Sequence, residues 1–259
     1  MKANSFGIRA FGCNIAVVAD SEEVLATLQR YVLPSLPGID PELPAKEIVV
    51  RVFRNEEGFQ LECDGTAGSA RDVRALVVET VRLLDEAVVK HLTNLTAVHA
   101  GVVELGGRAL LLPGETKAGK SALVAELLRR GAVYFSDEYA LIDTHGQAHP
   151  YPRPLLLRNA GPEQIPSLPE EWNASVGRAP VPVGWILALQ YDPASSWHVT
   201  AVPQSEALLI LLRNTPHALI ESPRIVAALQ RVCARAACYA GSRGGVADAV
   251  ENILRLVEA

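Results

Sequence analysis

The chain has 259 residues, of which 49% are hydrophobic and 20% are charged, and this composition excludes an intrinsically disordered protein. The formal net charge of −5 excludes the basic surface that nucleic acids or anionic membranes attract. The 19 glycines and 17 prolines follow no period, which excludes a collagen-like or low-complexity chain. We therefore expect a globular protein with a sizeable core.

The distribution of apolar residues and cysteines predicts the compartment. The first residues contain no apolar run long enough for a signal-peptide core, and nowhere do 18 apolar residues follow one another. The cysteines lack nearby histidines at metal-binding spacing, so we expect reduced thiols at Cys13, Cys63, Cys233 and Cys238. These features predict a cytoplasmic protein with no membrane partner.

Residues 1–95 carry the patterns of a small α+β domain. Apolar side chains recur at helical spacing over 21–33, where Ser21 is a favourable N-cap. A wide apolar stripe predicts a long helix over 70–92. Two strands joined by an Asn-Glu-Glu-Gly turn are expected at 47–54 and 58–63. No catalytic pattern occurs here, so we interpret this part as a packing or regulatory domain.

Residues 96–259 predict a second domain of mixed α/β character. Two apolar strands, 96–105 and 108–114, are separated by Gly106-Gly107, a strong hairpin signal because both glycines accept positive φ. The proline-rich stretch 161–182 is expected to be a surface loop. Further strands are predicted at 133–138, in a hairpin around His145-Gly146, and at 184–192 and 197–203. Helices are predicted at 204–214, 223–236 and 246–258.

One segment carries a phosphate-binding pattern. Residues 114–121 match the complete Walker A pattern G-x-x-x-x-G-K-[ST] and lie between a predicted strand and a predicted helix. The glycines let successive N–H groups curl toward phosphate oxygens, and the helix adds its positive N-terminal end. Lys120 then reaches the β- and γ-phosphates, and the Ser121 hydroxyl binds Mg²⁺. The predicted nucleotide-binding residues are Gly114, Glu115, Thr116, Lys117, Ala118, Gly119, Lys120 and Ser121.

Lys117 occupies a loop position where small residues are usual. Two of the chain's five lysines lie within the Walker A segment, whereas arginine supplies most of the other positive charge. We expect Lys117 either to contact phosphate or a bound acidic group, or to be a solvated loop residue.

Two adjacent acids, Asp137 and Glu138, follow the strand after the predicted Walker A helix. Phosphoryl transfer uses an acid near the metal and a group that orients or deprotonates the nucleophile. Neighbours in an extended strand face opposite sides, so only one acid is expected to face Mg²⁺ unless the strand ends there. We predict Asp137 as the base or metal-proximal acid and Glu138 as a second metal ligand. Two surface acids at a strand end are the alternative.

His99 is placed by the predicted hairpin. If Gly106-Gly107 is a two-residue turn, Leu105 pairs with Arg108, and counting outward puts His99 opposite Gly114. A histidine at that position can hydrogen-bond a γ-phosphate or the acidic pair. A purely structural histidine is the alternative.

Two arginines flank a short apolar segment beyond the acidic pair, Arg153 and Arg158. Phosphoryl transfer commonly uses an arginine to balance the charge that develops on the transferred group. Either residue, with Arg153 as our candidate, can serve in this way, and ordinary surface arginines are the alternative.

The run from His99 to Ile142 resembles the kinase domain of the HPr kinase/phosphorylase family. The family's His-Ala or His-Gly pair, Walker A loop, Arg-Gly pair and paired acids occur here in the same order, at His99-Ala100, 114–121, Arg130-Gly131 and Asp137-Glu138. The resemblance implies an α/β fold with a mixed-sheet P-loop kinase core of the HPr kinase and phosphoenolpyruvate carboxykinase type. A small N-terminal α+β domain precedes that core.

The resemblance also implies a reaction, the ATP-dependent phosphorylation of a hydroxyl group. It places Lys120 on phosphate, Ser121 on Mg²⁺ and Asp137 as the base. The chain departs from the family at Tyr139, where a third acid is usual, and in PYPRPLLLR, which replaces a Glu-x-Arg-Gly-x-Gly segment. These departures argue against phosphorylase activity and against HPr as the acceptor.

Three functions are consistent with these residues. The first is a kinase acting on a protein, a peptide or a small hydroxyl compound. The second is a nucleotide-binding regulatory module without kinase activity, and the third is an inactive P-loop scaffold. The acidic pair and His99 favour the kinase because a protein that only binds nucleotide needs no base. Self-association of the chain is left open.

Overall fold

The computed structural model describes residues 4–32, 46–115, 118–158, 161, 163–216 and 222–258. These residues form a mixed α/β fold with one short 3-10 helix, Pro169–Trp172. The strands are β1 Asn4–Ala10, β2 Cys13–Ala19, β3 Lys46–Asn55, β4 Gly58–Cys63, β5 Thr66–Ala70, β6 Leu95–Leu105, β7 Arg108–Pro113, β8 Val133–Ser136, β9 Tyr139–Asp143, β10 Gln147–His149, β11 Leu155–Arg158, β12 Gln164–Ser167, β13 Val181–Tyr191, β14 His198–Ala201 and β15 Ala237–Arg243. The α-helices are α1 Glu22–Tyr31, α2 Val73–Lys90, α3 Lys120–Arg129, α4 Gln204–Arg213, α5 Ser222–Cys233 and α6 Val246–Glu258.

The chain divides into two compact units. The first comprises Met1–Asn94 and Leu156–Leu168, and the second comprises Leu95–Leu155 and Pro169–Ala259. The polypeptide therefore leaves the first unit, forms part of the second, and contributes one more segment to the first before it completes the second.

The first unit is built on a five-stranded sheet in the order β1-β2-β3-β4-β5. Burial alternates along β2, as expected for a strand with one face on the core. The predicted first helix is confirmed as α1, and the Ser21 side chain accepts a hydrogen bond from the Val24 N–H. The long predicted helix is confirmed as α2, which begins at Val73 because the Asp72 carboxylate caps the Ala75 N–H at 2.9 Å.

The second unit contains an eight-stranded sheet in the order β10-β9-β6-β7-β13-β15-β14, with β8 beside β6. Strands β7, β13 and β15 run parallel to one another, so their carboxyl ends meet at one edge of the sheet. Strand β6 changes partner along its length, pairing with β9 over 95–99 and with β7 over 100–105. The Walker A segment follows β7 at this edge and leads into α3.

The core of the second unit lies between this sheet and its helices. Its buried members come from strands β6 to β10, β13 and β15 and from helices α4 and α5, and they include Val98, Leu111, Ile142, Ile186, Leu211 and Leu229. The predicted hairpin at 96–114 is confirmed, with Leu105 opposite Arg108 and positive φ at Gly106 and Gly107. The hairpin around His145-Gly146 is also confirmed, because β9 pairs with β10 and Gly146 has φ 80°.

The sequence interpretation was wrong in two places. Residues 161–182 do not form a plain surface loop, because β12 pairs with β11, a 3-10 helix follows, and β13 already begins at Val181. Ser167 and Pro169 are buried, so this stretch packs rather than projecting into solvent. Strands β1, β2, β5, β11 and β15 were not predicted. Among the described residues, no helix is both long and apolar enough to cross a membrane.

Candidate functional site

His99 lies where β6 changes partner. Its N–H donates to the Asn214 carbonyl at 2.6 Å, and its carbonyl accepts from the Gly114 N–H at 3.4 Å. The register that the Gly-Gly turn predicted is confirmed, because Ala100 pairs with Pro113 in β7. Three neighbouring segments thus fix the backbone of this histidine beside the start of the Walker A segment.

The acidic pair lies in a turn and not within a strand. Strand β8 ends at Ser136, and the Ser136 hydroxyl accepts hydrogen bonds from the N–H groups of Glu138 and Tyr139 at 3.2 and 3.1 Å. The side chains of Asp137 and Glu138 consequently separate: Asp137 is 1% exposed, whereas the Glu138 side chain is 33% exposed.

Glu138 pairs with His99. The His99 Nε2 atom lies 2.7 Å from Glu138 Oε1, a distance typical of a charge-assisted hydrogen bond. Burial raises the pKa of the Glu138 carboxyl, but the hydrogen bond from His99 and the positive charges of Arg153, His99 and Lys120 outweigh that effect and lower it overall. Glu138 is therefore a carboxylate at neutral pH.

Asp137 pairs with Arg153 in the interior. Arg153 Nη1 donates to Asp137 Oδ1 at 2.8 Å, and both side chains are almost completely buried. The Tyr134 hydroxyl donates to the Arg153 carbonyl at 2.8 Å and lies 3.4 Å from Asp137 Oδ1. The same guanidinium lies 4.0 Å from Glu138 Oε2, so Arg153 links the two acids electrostatically.

Lys120 is the first residue of α3 and is buried. Its Nζ donates to the carbonyls of Gly114 and Glu115 at 2.9 and 3.0 Å and lies 3.5 Å from His99 Nε2. Burial lowers the pKa of the Lys120 ammonium, and the negative charges of Glu138 and Asp137 oppose that shift. The ammonium therefore lies within a short distance of both the segment's backbone and the His99–Glu138 pair.

The remaining Walker A residues are placed around this lysine. Gly119 has φ 78°, which only glycine adopts readily, and its carbonyl accepts the first helical hydrogen bond of α3. Ser121 is half-buried in the first turn of α3. Ala118 donates its N–H to the Glu115 carbonyl at 3.2 Å. Thr116 and Lys117 lie outside the described residues, so their predicted contacts stay predictions.

A cavity of about 580 Å³ opens beside these residues. This volume is within the range of small-molecule binding sites. Neither Asp137 nor Arg153 is among its lining residues, which are His99, Glu115, Glu138, Tyr139, Arg213, Asn214, Thr215 and Pro216. The structure thus brings His99 and Glu138 to a cavity, whereas Asp137 and Arg153 are buried and do not line it. Arg158 is exposed and belongs to the first unit.

The predicted Mg²⁺ ligands fit the ion by chemistry. Among the described residues no three His, Cys, Asp or Glu side chains converge into a metal-binding cluster. Mg²⁺ at nucleotide sites is typically bound by one or two carboxylates together with phosphate oxygens and water, so such a cluster is not required. The hydroxyl of Ser121 and the cavity-facing carboxylate of Glu138 are oxygen donors of the required kind, whereas Asp137 is occupied by Arg153.

Sequence patterns did not indicate several residues at this site. Arg213, Asn214 and Thr215 reach the cavity from the end of α4, which is distant in sequence from the Walker A segment. Arg243 contacts the Walker A backbone from the end of β15, with Nη2 at 3.2 Å from the Ala118 carbonyl. In the sequence, Arg243 is a basic residue just before Gly244-Gly245. Without the strand order, this position does not indicate a contact with the Walker A segment.

Comparisons with known proteins do not show a family for this chain. No protein-family model matches the chain, and no curated protein matches its sequence. Among solved structures, the HPr(Ser) kinase/phosphatase from Coxiella burnetii is similar over 62% of this chain and 96% of that chain, with 14% sequence identity and a TM-score of 0.35. Function is therefore inferred from the residues and distances of this chain.

Proposed function

We propose that the chain is an ATP-dependent kinase that transfers the γ-phosphoryl group to a hydroxyl of a protein, a peptide or a small molecule. The observation that carries this proposal is the convergence of three groups beside one cavity. A complete Walker A sequence, 114–121, contains the buried Lys120, whose Nζ lies 3.5 Å from His99 Nε2. His99 Nε2 in turn lies 2.7 Å from the Glu138 carboxylate. A protein that only binds nucleotide has no need of the last two groups.

Each part of the arrangement has a defined task in this proposal. The backbone N–H groups of 114–121 and the N-terminal end of α3 bind phosphate oxygens. Those oxygens can replace the carbonyls of Gly114 and Glu115 as acceptors for the Lys120 ammonium. Ser121, together with phosphate oxygens and water, would hold Mg²⁺, which supplies positive charge against the charge on the phosphates. His99 Nε2 lies 2.7 Å from Glu138 Oε1, so His99 is placed to orient that carboxylate.

The acidic pair supplies the group that takes the acceptor's proton. Sequence reasoning favoured Asp137, but access favours Glu138, because Glu138 lines the cavity and Asp137 is buried against Arg153. Arg153 lies within 4.0 Å of both carboxylates, and its positive charge is one of the causes that lower the pKa of Glu138. The low pKa of Glu138 suits a group that orients the hydroxyl, since the loose transition state of phosphoryl transfer makes little demand on base strength.

Nucleotide binding is tested first, by isothermal titration calorimetry with Mg-ATP. Lys120→Ala removes the cation from the Walker A segment and should weaken or abolish binding. Lys90→Ala is the matched control, because Lys90 is an exposed lysine of the first unit and should leave affinity unchanged. Equal affinity of the wild type and Lys120→Ala would show that the nucleotide site is misassigned.

Transfer is tested with γ-labelled ATP, Mg²⁺ and a lysate of the source organism, with Lys120→Ala as the blank. Glu138→Gln and Asp137→Asn remove one carboxylate each and keep the side-chain size. We expect the residue that takes the proton to lose about 10²–10⁴-fold in transfer rate with ATP affinity within a few fold of the wild type. If both variants match the wild type, or if no acceptor is labelled, the chain is a nucleotide-binding module and not a kinase.

A further inference from the structure

Arg243 is a buried cation at the Walker A segment. It is only 1% exposed, and it ranks among the largest fully buried side chains of the described residues. Within the described part of the chain, no carboxylate forms an ion pair with it, and its Nε has no hydrogen-bond acceptor. Arginine stays protonated in proteins, so a whole positive charge is buried here without a negative partner.

The contacts of the guanidinium are directed at the phosphate-binding backbone. Nη2 donates to the carbonyls of Ala118 and Gly119 at 3.2 and 3.3 Å, and Nη1 donates to the Gly244 carbonyl at 3.0 Å. On the other side the Tyr191 ring lies 4.9 Å from the guanidinium carbon, within cation–π range. The approach to Gly119 is so close that a Cβ built at that glycine would lie 2.3 Å from Nη2.

Strand order explains how a residue so distant in sequence reaches this segment. Strands β7, β13 and β15 are parallel neighbours, and Tyr191 and Arg243 are cross-strand partners at the carboxyl ends of β13 and β15. The Walker A segment begins at the corresponding end of β7. Arg243 is thus held at the carboxyl end of β15, and it contacts the Walker A backbone from the sheet.

The peptide geometry connects these contacts to phosphate binding. In a trans peptide the C=O and the following N–H point in opposite directions. No peptide bond of the described residues is cis. When Arg243 holds the carbonyls of Ala118 and Gly119, the N–H groups of Gly119 and Lys120 therefore point away from the arginine. Those N–H groups belong to the set that binds phosphate in a Walker A segment.

We propose that Arg243 is a positioning residue of the nucleotide site, which holds the 118–120 backbone so that its N–H groups face the phosphates. This inference rests on the proposed nucleotide-binding function. Arg243 acts through the backbone and touches no reacting atom. Its positive charge also favours an anion on the far side of the segment, because no carboxylate among the described residues pairs with it.

The test is calorimetric titration of Mg-ATP into the wild type, Arg243→Met and Arg243→Lys. Arg243→Met keeps an unbranched side chain about as long as the arginine stem up to Nε and removes all of the guanidinium donors. We expect its dissociation constant to rise about 10- to 100-fold, the size associated with losing hydrogen bonds from a charged donor. Arg243→Lys keeps the charge and one donor and should recover part of the affinity. Arg255→Met, which alters an exposed arginine of α6, is the control and should bind like the wild type.

The same titration separates positioning from a general structural role. A variant that is merely misfolded in part shows fewer binding sites with an unchanged dissociation constant, whereas loss of positioning raises the constant and leaves the stoichiometry at the wild-type value. If Arg243→Met fails to fold, Arg243→Lys alone tests the inference. We then expect Arg243→Lys to bind Mg-ATP at full stoichiometry with a dissociation constant above that of the wild type. Wild-type affinity in both variants overturns this inference alone. Absence of ATP binding by the wild type overturns it together with the proposed function.

Discussion

Gly119→Ala is the substitution for which the structure gives the sharpest stability prediction. Two separate effects oppose a side chain at this position. Gly119 has φ 78°, a left-handed conformation that costs a non-glycine residue about 1–2 kcal/mol. An added Cβ would also lie 2.3 Å from Arg243 Nη2, so the buried guanidinium must move and lose its two hydrogen bonds to the Walker A backbone. Taking about 1.5–3 kcal/mol for this pair of bonds from one charged nitrogen, the combined cost is about 2.5–5 kcal/mol.

Gly131 provides the matched control at the other end of α3. It has φ 92°, and nothing lies within 4 Å of a Cβ built there. Gly131→Ala should therefore cost only the backbone strain, about 1–2 kcal/mol. In an Arg243→Ala background, Gly119→Ala should fall to the same value because the clash is gone. The difference between the two backgrounds measures the contact between Gly119 and Arg243.

The assay is urea unfolding followed by tryptophan fluorescence. All three tryptophans, Trp172, Trp185 and Trp197, lie in the second unit, so fluorescence reports on the unit that contains both glycines. Linear extrapolation gives the free energy of unfolding for each variant. The reasoning is refuted if Gly119→Ala and Gly131→Ala cost the same in the wild-type background, or if the cost of Gly119→Ala does not change when Arg243 is absent.

Three further predictions concern charge and burial. Arg153→Met should lower the free energy of unfolding by about 3–5 kcal/mol because it leaves the buried Asp137 carboxylate without its cation, and adding Asp137→Asn should restore much of the loss in the same fluorescence assay. Burial lowers the pKa of Lys120 below 10.5, and a bound triphosphate should raise it, so ATP affinity should fall at alkaline pH with proton uptake on binding. Calorimetry in buffers of different ionisation heat checks this, and Lys120→Arg should take up no proton. Burial raises the thiol pKa to about 11 at Cys63 and to about 12 at Cys233. Ellman's reagent at pH 8 should therefore react far more slowly with native protein than with urea-unfolded protein, in which all four thiols are exposed: Cys13, Cys63, Cys233 and Cys238. Fast reaction of the native protein would contradict the buried placement.

The hairpin before the Walker A segment shows what local sequence can predict about this site. Two glycines that both accept positive φ set a two-residue turn, and the turn sets the register of every pair on β6 and β7. The placement of His99 beside Gly114 followed from that register alone. Helix α1 was predictable for the same kind of reason, because a cap and an apolar period are both local features.

Arg243 shows what local sequence could not predict. Its position at the Walker A segment depends on β15 lying next to β13, and on β13 lying next to β7, with all three parallel. Parallel neighbours are joined through long connections, so their order is set by packing of the whole sheet and not by a turn pattern. The short residues Ala, Gly and Ser of β15 also gave no strand-like alternation.

The acidic pair could be predicted only in part from local sequence. Its existence at the end of β8 was predictable, but the roles of its two members depend on where the strand stops. Because β8 ends at Ser136 and the Ser136 hydroxyl accepts from the N–H groups of Glu138 and Tyr139, the chain turns at once. The two carboxylates then separate toward different partners. Asp137 pairs with Arg153 in the interior, and Glu138 pairs with His99 at the cavity. An extended strand would also have separated the two acids, but only the turn puts the second acid, and not the first, at the cavity where a hydroxyl acceptor has access.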